Sequence, residues 1–140
     1  MNQGAGYTVT VNSTREFFLK WLELIKPLHN LSDKEMGVAA SFLQIRYEKQ
    51  NKVVDDEVMG IFLKSREAIS RILEENELKQ NNFYVIQNKL RAIGFIDKFY
   101  VIARPYIPNI VNIEEPFYLQ FKIHVIKESI QQSSEETQDN

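Results

Sequence analysis

The chain has 140 residues, a net charge of −2 and a pI of about 5.7, and 44% of its residues are hydrophobic. This length fits one domain with a sizeable core, and the charge balance argues against a protein that coats nucleic acid along its whole surface. The sequence contains no cysteine, which excludes disulfides and thiolate metal sites. It has no apolar run long enough for a membrane span and no pattern of a secretory signal, so we expect neither secretion nor membrane insertion.

A strand and a helix are the first predicted elements. Residues 6–12, GYTVTVN, alternate side chains with the period of a strand. The motif STRE at 13–16 is a capping box that opens a helix, because Ser13 and Glu16 can each accept a hydrogen bond from the other's backbone amide. Pro27 predicts the end of this helix. Its predicted inward face consists of Phe17, Trp21, Leu24 and Leu28.

Further start signals divide the middle of the chain into helices. A second capping box, SDKE at 32–35, starts one helix, Asp55 or Asp56 caps a short one, and Ser65 caps another. The turn-like stretch NELKQNN then leads into a helix that ends at Gly94, where a left-handed C-terminal cap is expected. The predicted buried residues of that last helix are Phe83, Ile86, Leu90 and Ile93.

The remaining segments predict β-structure and a polar tail. The residues FI, the turn DK and the residues FYVIA form a predicted hairpin over 95–103. Apolar and polar side chains alternate from 117 to 126, which predicts a strand that pairs with the N-terminal strand or with a neighbouring subunit. After Lys127 all charged residues are acidic, which is typical of a solvated tail.

The stretch REAISRILEENELKQNNFYVIQNKLRAIGFI resembles helix two, the turn, the recognition helix and the first wing strand of winged helix-turn-helix domains. Its ending, L-R-x-x-G-x-I, recurs in bacterial regulators of this class. The resemblance implies an α+β fold: a winged helix-turn-helix core with an extra N-terminal helix and terminal β-strands. The expected segments are an N-terminal strand and helix (1–31), the winged-helix core (32–104), an extended segment with a strand (105–127) and an acidic polar tail (128–140).

A second resemblance concerns the biological setting. The stretches TVTVNSTREFFLKWLELIKPLHNLSDKEMGVAASFL and FYVIQNKLRAIGFI, with the later YIPNI, look similar to a family of small proteins of crAss-like phages that infect Bacteroidetes. This resemblance implies a phage context, with a component of the virion among the possible roles. It supplies no catalytic motif to transfer to this chain.

The candidate site lies on the last predicted helix. With its apolar side chains inward, that helix is expected to expose Tyr84, Gln87, Asn88 and Arg91, which are residue types that bind base edges. Cations that are placed to contact phosphates, or a protein partner, are Lys79, Lys89, Lys98 and Arg104. Five basic residues against Asp97 make the segment 79–104 carry +4. Exposed helix faces also carry such residues, however, and the acids of EENE at 74–77 favour protein contact over DNA.

Catalysis has little support in the sequence. The only two histidines, His29 and His124, occur in unrelated contexts, and His29 is predicted to be a packed or capping side chain at a helix end. No glycine-rich phosphate loop or nucleophile elbow is present. We therefore expect no catalytic residues, no metal site, no cofactor and no enzymatic activity.

These observations lead to two expectations about function. The first is a non-enzymatic structural or auxiliary virion protein that contacts other virion proteins or copies of itself in an oligomeric assembly. The alternative is a transcriptional regulator of the winged-helix class that binds double-stranded DNA at a specific sequence. Either role places the protein in the virion or the host cytoplasm.

Overall fold

A computed structural model of the protein describes residues 9–53 and 55–110. A short 3₁₀ turn at Arg104–Tyr106 and an isolated antiparallel bridge between Ile96 and Ile102 follow the helices of this part of the chain. The helices are α1 (Thr14–Leu24), α2 (Lys26–His29), α3 (Asp33–Lys49), α4 (Asp56–Leu63), α5 (Arg66–Glu75) and α6 (Gln80–Ala92). None of the helices within these described ranges has both the length and the apolarity needed to cross a bilayer.

The predicted α+β class is wrong, because the described residues are mostly helical and contain no strand or sheet. The expected hairpin at 95–103 is reduced to the single bridge, since the chain leaves it at once for the 3₁₀ turn. Residues 9–12 of the predicted N-terminal strand form no strand either. Alternating side chains define a strand only when another backbone pairs with it. Residues 6–8, the predicted strand at 117–126 and the tail at 128–140 lie outside the described residues.

The predicted helix starts are confirmed by direct hydrogen bonds. The side chains of Ser13, Ser32, Asp55 and Ser65 each accept a bond from a backbone amide in the first turn of their helix. At Ser32 the box is complete, because the Glu35 carboxylate also accepts from the Ser32 amide at 2.9 Å. Local sequence therefore sets where α1, α3, α4 and α5 begin.

The buried face at the end of α1 differs from the prediction. Helix α1 stops at Leu24, and the chain turns at Ile25 before α2 begins. Pro27 follows two residues after the C-cap residue Ile25, in agreement with its predicted place at the end of α1, and it lies in the first turn of α2, where its missing amide costs no hydrogen bond. The turn makes Ile25 a buried residue and leaves Leu24 and Leu28 exposed, which is the opposite of their predicted inward position.

Helix α3 is the centre of the fold. The helices α1, α4, α5 and α6 all pack against it. Its residues from 36 to 43 are buried without interruption, so it shows almost no polar face over two turns. A helix that is buried on all sides forms only where neighbours cover it, and α3 therefore organises the other elements.

A partly buried polar network joins α1, α3 and the turn after α5. The Arg15 guanidinium donates to Ser41 Oγ at 2.7 Å and to Asn76 Oδ1 at 2.8 Å. The Asn76 amide in turn donates to Ser41 Oγ at 3.0 Å and to the Ile72 carbonyl at 2.9 Å. The Ser41 hydroxyl also lies 2.9 Å from Glu75 Oε1, which completes the network. Each of these polar groups is satisfied by the others, as burial requires.

We expect Asn76→Ala to lower the free energy of unfolding by about 2 kcal/mol, because it removes a hydrogen-bond partner from the fully buried Ser41 and from the partly buried Arg15. Urea unfolding followed by circular dichroism measures this. The matched control is Asn81→Ala on the exposed side of α6, for which a change within about 0.5 kcal/mol is expected. Equal effects of the two substitutions would contradict a stabilising role of the network.

Gly60 allows α4 to lie directly on the turn at 97–100. A Cβ atom at this position would overlap the backbone carbonyl oxygen of Phe99. Backbone atoms cannot rotate away as a flexible side chain can, so any larger residue must push α4 and the turn apart.

Gly60→Ala is therefore expected to destabilise the protein by about 1–3 kcal/mol through overpacking, although Ala is the better helix former. Val58→Ala, on the exposed side of the same helix, is the control and is expected to change stability by less than about 0.5 kcal/mol. Urea unfolding of the two variants tests this, and a neutral or stabilising Gly60→Ala would show that the contact is not tight.

Candidate functional site

Helix α6 has the register that the sequence predicts. Phe83, Ile86 and Leu90 are buried and Ile93 is partly buried against the core. Gly94 has a φ of 82°, which confirms the left-handed residue expected after the helix. The core side of α6 is thus fixed by its apolar spacing.

Gln87 is not on the exposed face, and its predicted exposure is wrong. Only 6% of its surface is accessible, and its Oε1 accepts a hydrogen bond from the Tyr100 hydroxyl. Its amide nitrogen lies 3.3 Å from Asn88 Oδ1. The turn at 97–100 folds back over this side of α6 and covers a polar side chain that the helical spacing places next to the core. Gln87 is therefore unavailable to a nucleic acid or protein partner.

Tyr100 holds the turn onto α6. The Asp97 carboxylate accepts hydrogen bonds from the amides of Phe99 at 2.8 Å and Val101 at 3.0 Å, which fixes a tight Asx-type turn. Tyr100 then takes a φ of 63°, a left-handed conformation that is rare for a bulky side chain. Its ring is buried and lies 5.6 Å, edge to face, from the ring of Phe42 on α3. Packing around the ring keeps the residue in this strained conformation.

Arg91 packs against the ring of the same tyrosine. Its guanidinium carbon lies 5.7 Å from the centre of the Tyr100 ring, within the range of a cation–π contact. Its Nε is buried and has no hydrogen-bond partner within the described residues. Burial raises the pKa of the Tyr100 hydroxyl, and the positive charge of Arg91 only partly opposes this effect.

The raised pKa of Tyr100 predicts a loss of stability in alkali. The folded state resists ionisation of this hydroxyl, so the stabilisation is complete below the unfolded pKa of about 10 and is lost as the pH rises above it. Urea unfolding of the wild type between pH 8 and pH 11 should show this fall. In Tyr100→Phe we expect about 1 kcal/mol less stability at pH 8 and a shallower fall above pH 10. An equal fall in both proteins would assign the effect to other groups.

The outer side of α6 presents a mixed polar and apolar surface. We call this surface the α6 face and define it as the exposed residues Asn81, Tyr84, Val85, Asn88 and Lys89. Val85 is 68% exposed and lies near its middle. Tyr84 and Asn88 are where the sequence analysis predicts them, whereas Val85 was missed. The spacing that buries Phe83, Ile86 and Leu90 places Val85 opposite the core, so the signal was present in the sequence.

The predicted cations are dispersed. Lys79 and Lys89 are exposed at the two ends of α6, and the ammonium of Lys98 lies 5.1 Å from the centre of the Phe99 ring. Arg104 forms an ion pair with Asp56 of α4 at 3.4 Å, so an acid outside 79–104 partly neutralises the local charge of +4. Lys79 also shares an open groove with Glu74 and Glu77. The positive charge expected from the sequence is therefore spread over the surface and partly neutralised by neighbouring acids.

The described residues contain no group of three His, Asp or Glu side chains that is placed to hold a metal ion. His29 is buried, with Nε2 at 2.8 Å from the Leu22 carbonyl and Nδ1 accepting from the Leu31 amide at 2.9 Å. This confirms the prediction of a packed side chain at a helix end. His124 lies outside the described residues.

Comparisons with known proteins give no match: no family model fits the sequence, no curated protein is similar to it, and no solved structure is similar to the fold.

Proposed function

We propose that the protein is non-enzymatic and that it binds another protein through the α6 face, as a component of an oligomeric assembly. The observation that carries this proposal is the exposure of Val85 and Tyr84 in the middle of the face. Exposed apolar and aromatic side chains rimmed by amides and a lysine are typical of protein contact surfaces.

The commitment of Gln87 and Arg91 to Tyr100 supports protein contact over base reading. An amide or guanidinium reads a base edge by donating or accepting two hydrogen bonds in the major groove. Gln87 is buried, and the Nε of Arg91 is covered by protein. Of the four residues expected to read bases, Gln87 thus holds the turn instead, and Arg91 is partly buried against the Tyr100 ring.

The resemblance to proteins of crAss-like phages supplies the setting of the proposal. In that setting the protein is a structural or auxiliary component of the virion, and its partners are other virion proteins or copies of itself. Its location is then the virion or the host cytoplasm. The comparisons with known proteins neither add to this setting nor weaken it.

Binding to double-stranded DNA, as a regulator, is the second candidate, and one observation favours it. Helix α6, with the sequence QNNFYVIQNKLRA, contains no acidic residue. Asn81, Asn88 and Lys89 are all exposed on it, and these side chains can contact phosphates or base edges. Glu74 and Glu77 beside the preceding turn weigh against close approach of a phosphate backbone.

The first test is photo-crosslinking of the protein in its native assembly, with a photoreactive amino acid at Val85. We expect one discrete protein adduct from this position, since the proposal places Val85 at the centre of the contact. The same amino acid at Lys26, exposed on α2, is the control and should give no such adduct. Adducts to nucleic acid alone, or identical adducts from both positions, would contradict the proposal.

Fluorescence anisotropy with random-sequence duplex DNA distinguishes the second candidate, a DNA-binding regulator, from the proposed protein-binding role. The protein and its Lys89→Glu variant are compared at about 50 and 200 mM salt, because phosphate contacts make affinity fall steeply with salt. Protein contact predicts no salt-sensitive binding in either protein. Tight binding that the substitution weakens would favour the regulator.

A further inference from the structure

Helix α4 exposes an apolar surface on the side that faces away from the core. Its inner side chains, Met59 and Leu63, are buried. On the outer side, Ile61 is 71% exposed and Val58 is 48% exposed. Large apolar side chains that remain in water beside each other cost free energy unless a partner covers them.

The turn at 97–100 carries a further exposed apolar side chain next to α4. The backbone of Phe99 lies against Gly60, and the Phe99 side chain is 59% exposed. We call the three side chains Val58, Ile61 and Phe99 the α4 patch. It lies on elements other than the α6 face, so a conclusion about one surface does not depend on the other.

Opposite charges flank the patch along the helix. Glu57 and Ile61 of α4 and its C-cap residue Lys64, which keeps a right-handed helical backbone, are spaced i, i+4 and i+7, so they form one stripe along the helix. Glu57 and Lys64 are both exposed, and neither forms an ion pair with another described residue. The stripe therefore runs from an unpaired acid through an apolar centre to an unpaired base.

Such a stripe is complementary to itself when it is reversed. If a second α4 lies antiparallel on the first, with Ile61 near the twofold axis, Glu57 of each copy faces Lys64 of the other. The apolar side chains then meet between the two ion pairs. This arrangement satisfies the condition for an isologous contact, in which residue i touches j and j touches i.

We propose that the α4 patch is the contact between two copies of this chain, packed antiparallel through α4. The charge pattern favours this partner, because an acid four residues before Ile61 and a base three residues after it face each other's counterparts in a reversed copy. This homodimer goes beyond the contact proposed for the α6 face. The homodimer can form, and can be detected, whether or not the α6 face binds a partner.

The experiment is sedimentation equilibrium of the full chain over a range of protein concentrations. The wild type should show a monomer–dimer equilibrium, and Ile61→Asp should be monomeric at every concentration while keeping its helical circular dichroism. Leu28→Asp, at an apolar side chain of α2 that is 61% exposed and belongs to neither proposed surface, is the matched control and should dimerise like the wild type. A monomeric wild type would overturn the proposal, as would a dimer that survives Ile61→Asp.

Charge reversal tests the antiparallel geometry itself. Glu57→Lys and Lys64→Glu should each weaken the dimer about tenfold, because each creates two like-charge pairs across the twofold axis. Mixing the two single variants should restore a dimer, and so should combining both substitutions in one chain. Folding of each variant is checked by its thermal unfolding. If the variants fold but neither the mixture nor the double variant restores the dimer, the proposed packing is overturned.

Discussion

The fold depends on the burial of α3 from residue 36 to residue 43, where Ser41, the polar side chain of this stretch, is hydrogen-bonded to its neighbours. Small residues on α3 bring α1 and the turn after α5 close, so that Arg15 and Asn76 reach Ser41 directly. Gly37 contributes to the same contact, because a Cβ atom there would lie 2.5 Å from Asn76 Oδ1. A network of this kind specifies one arrangement of the helices, since any other arrangement leaves buried donors without acceptors. The position of α6, and therefore of its outer face, follows from this arrangement.

The contact between Tyr100 and α6 decides what the outer face can do. By taking a strained left-handed conformation, Tyr100 places its hydroxyl on Gln87 and its ring under Arg91. Gln87, one of the side chains predicted to distinguish bases, is thereby used inside the protein, and Arg91 is partly used there. The side chains left outside include Tyr84 and Val85, for which desolvation against a protein is favourable. This difference in what remains exposed is the physical basis on which we propose a protein partner.

The two proposed contacts use separate parts of the molecule and different physics. The α6 face is a mixed surface with an apolar centre and amide neighbours, which suits a partner of another sequence. The α4 patch is flanked by an acid at one end of α4 and a base at the other, which suits a reversed copy of the same chain. A subunit with one surface of each kind can dimerise and still attach the pair to a larger structure. That combination is what the proposed role in an assembly requires.

The sequence by itself determined the local features of this protein: the helix starts at Ser13, Ser32, Asp55 and Ser65, the buried side of α6 and the left-handed Gly94. These depend on side chains within about one helical turn of each other, so spacing is sufficient to find them. The helical class and the burial of Gln87 were decided only by the tertiary structure. A strand needs a partner that alternation does not reveal, and Gln87 is covered by a residue thirteen positions away. Contacts between distant residues set both outcomes, and no local pattern records them.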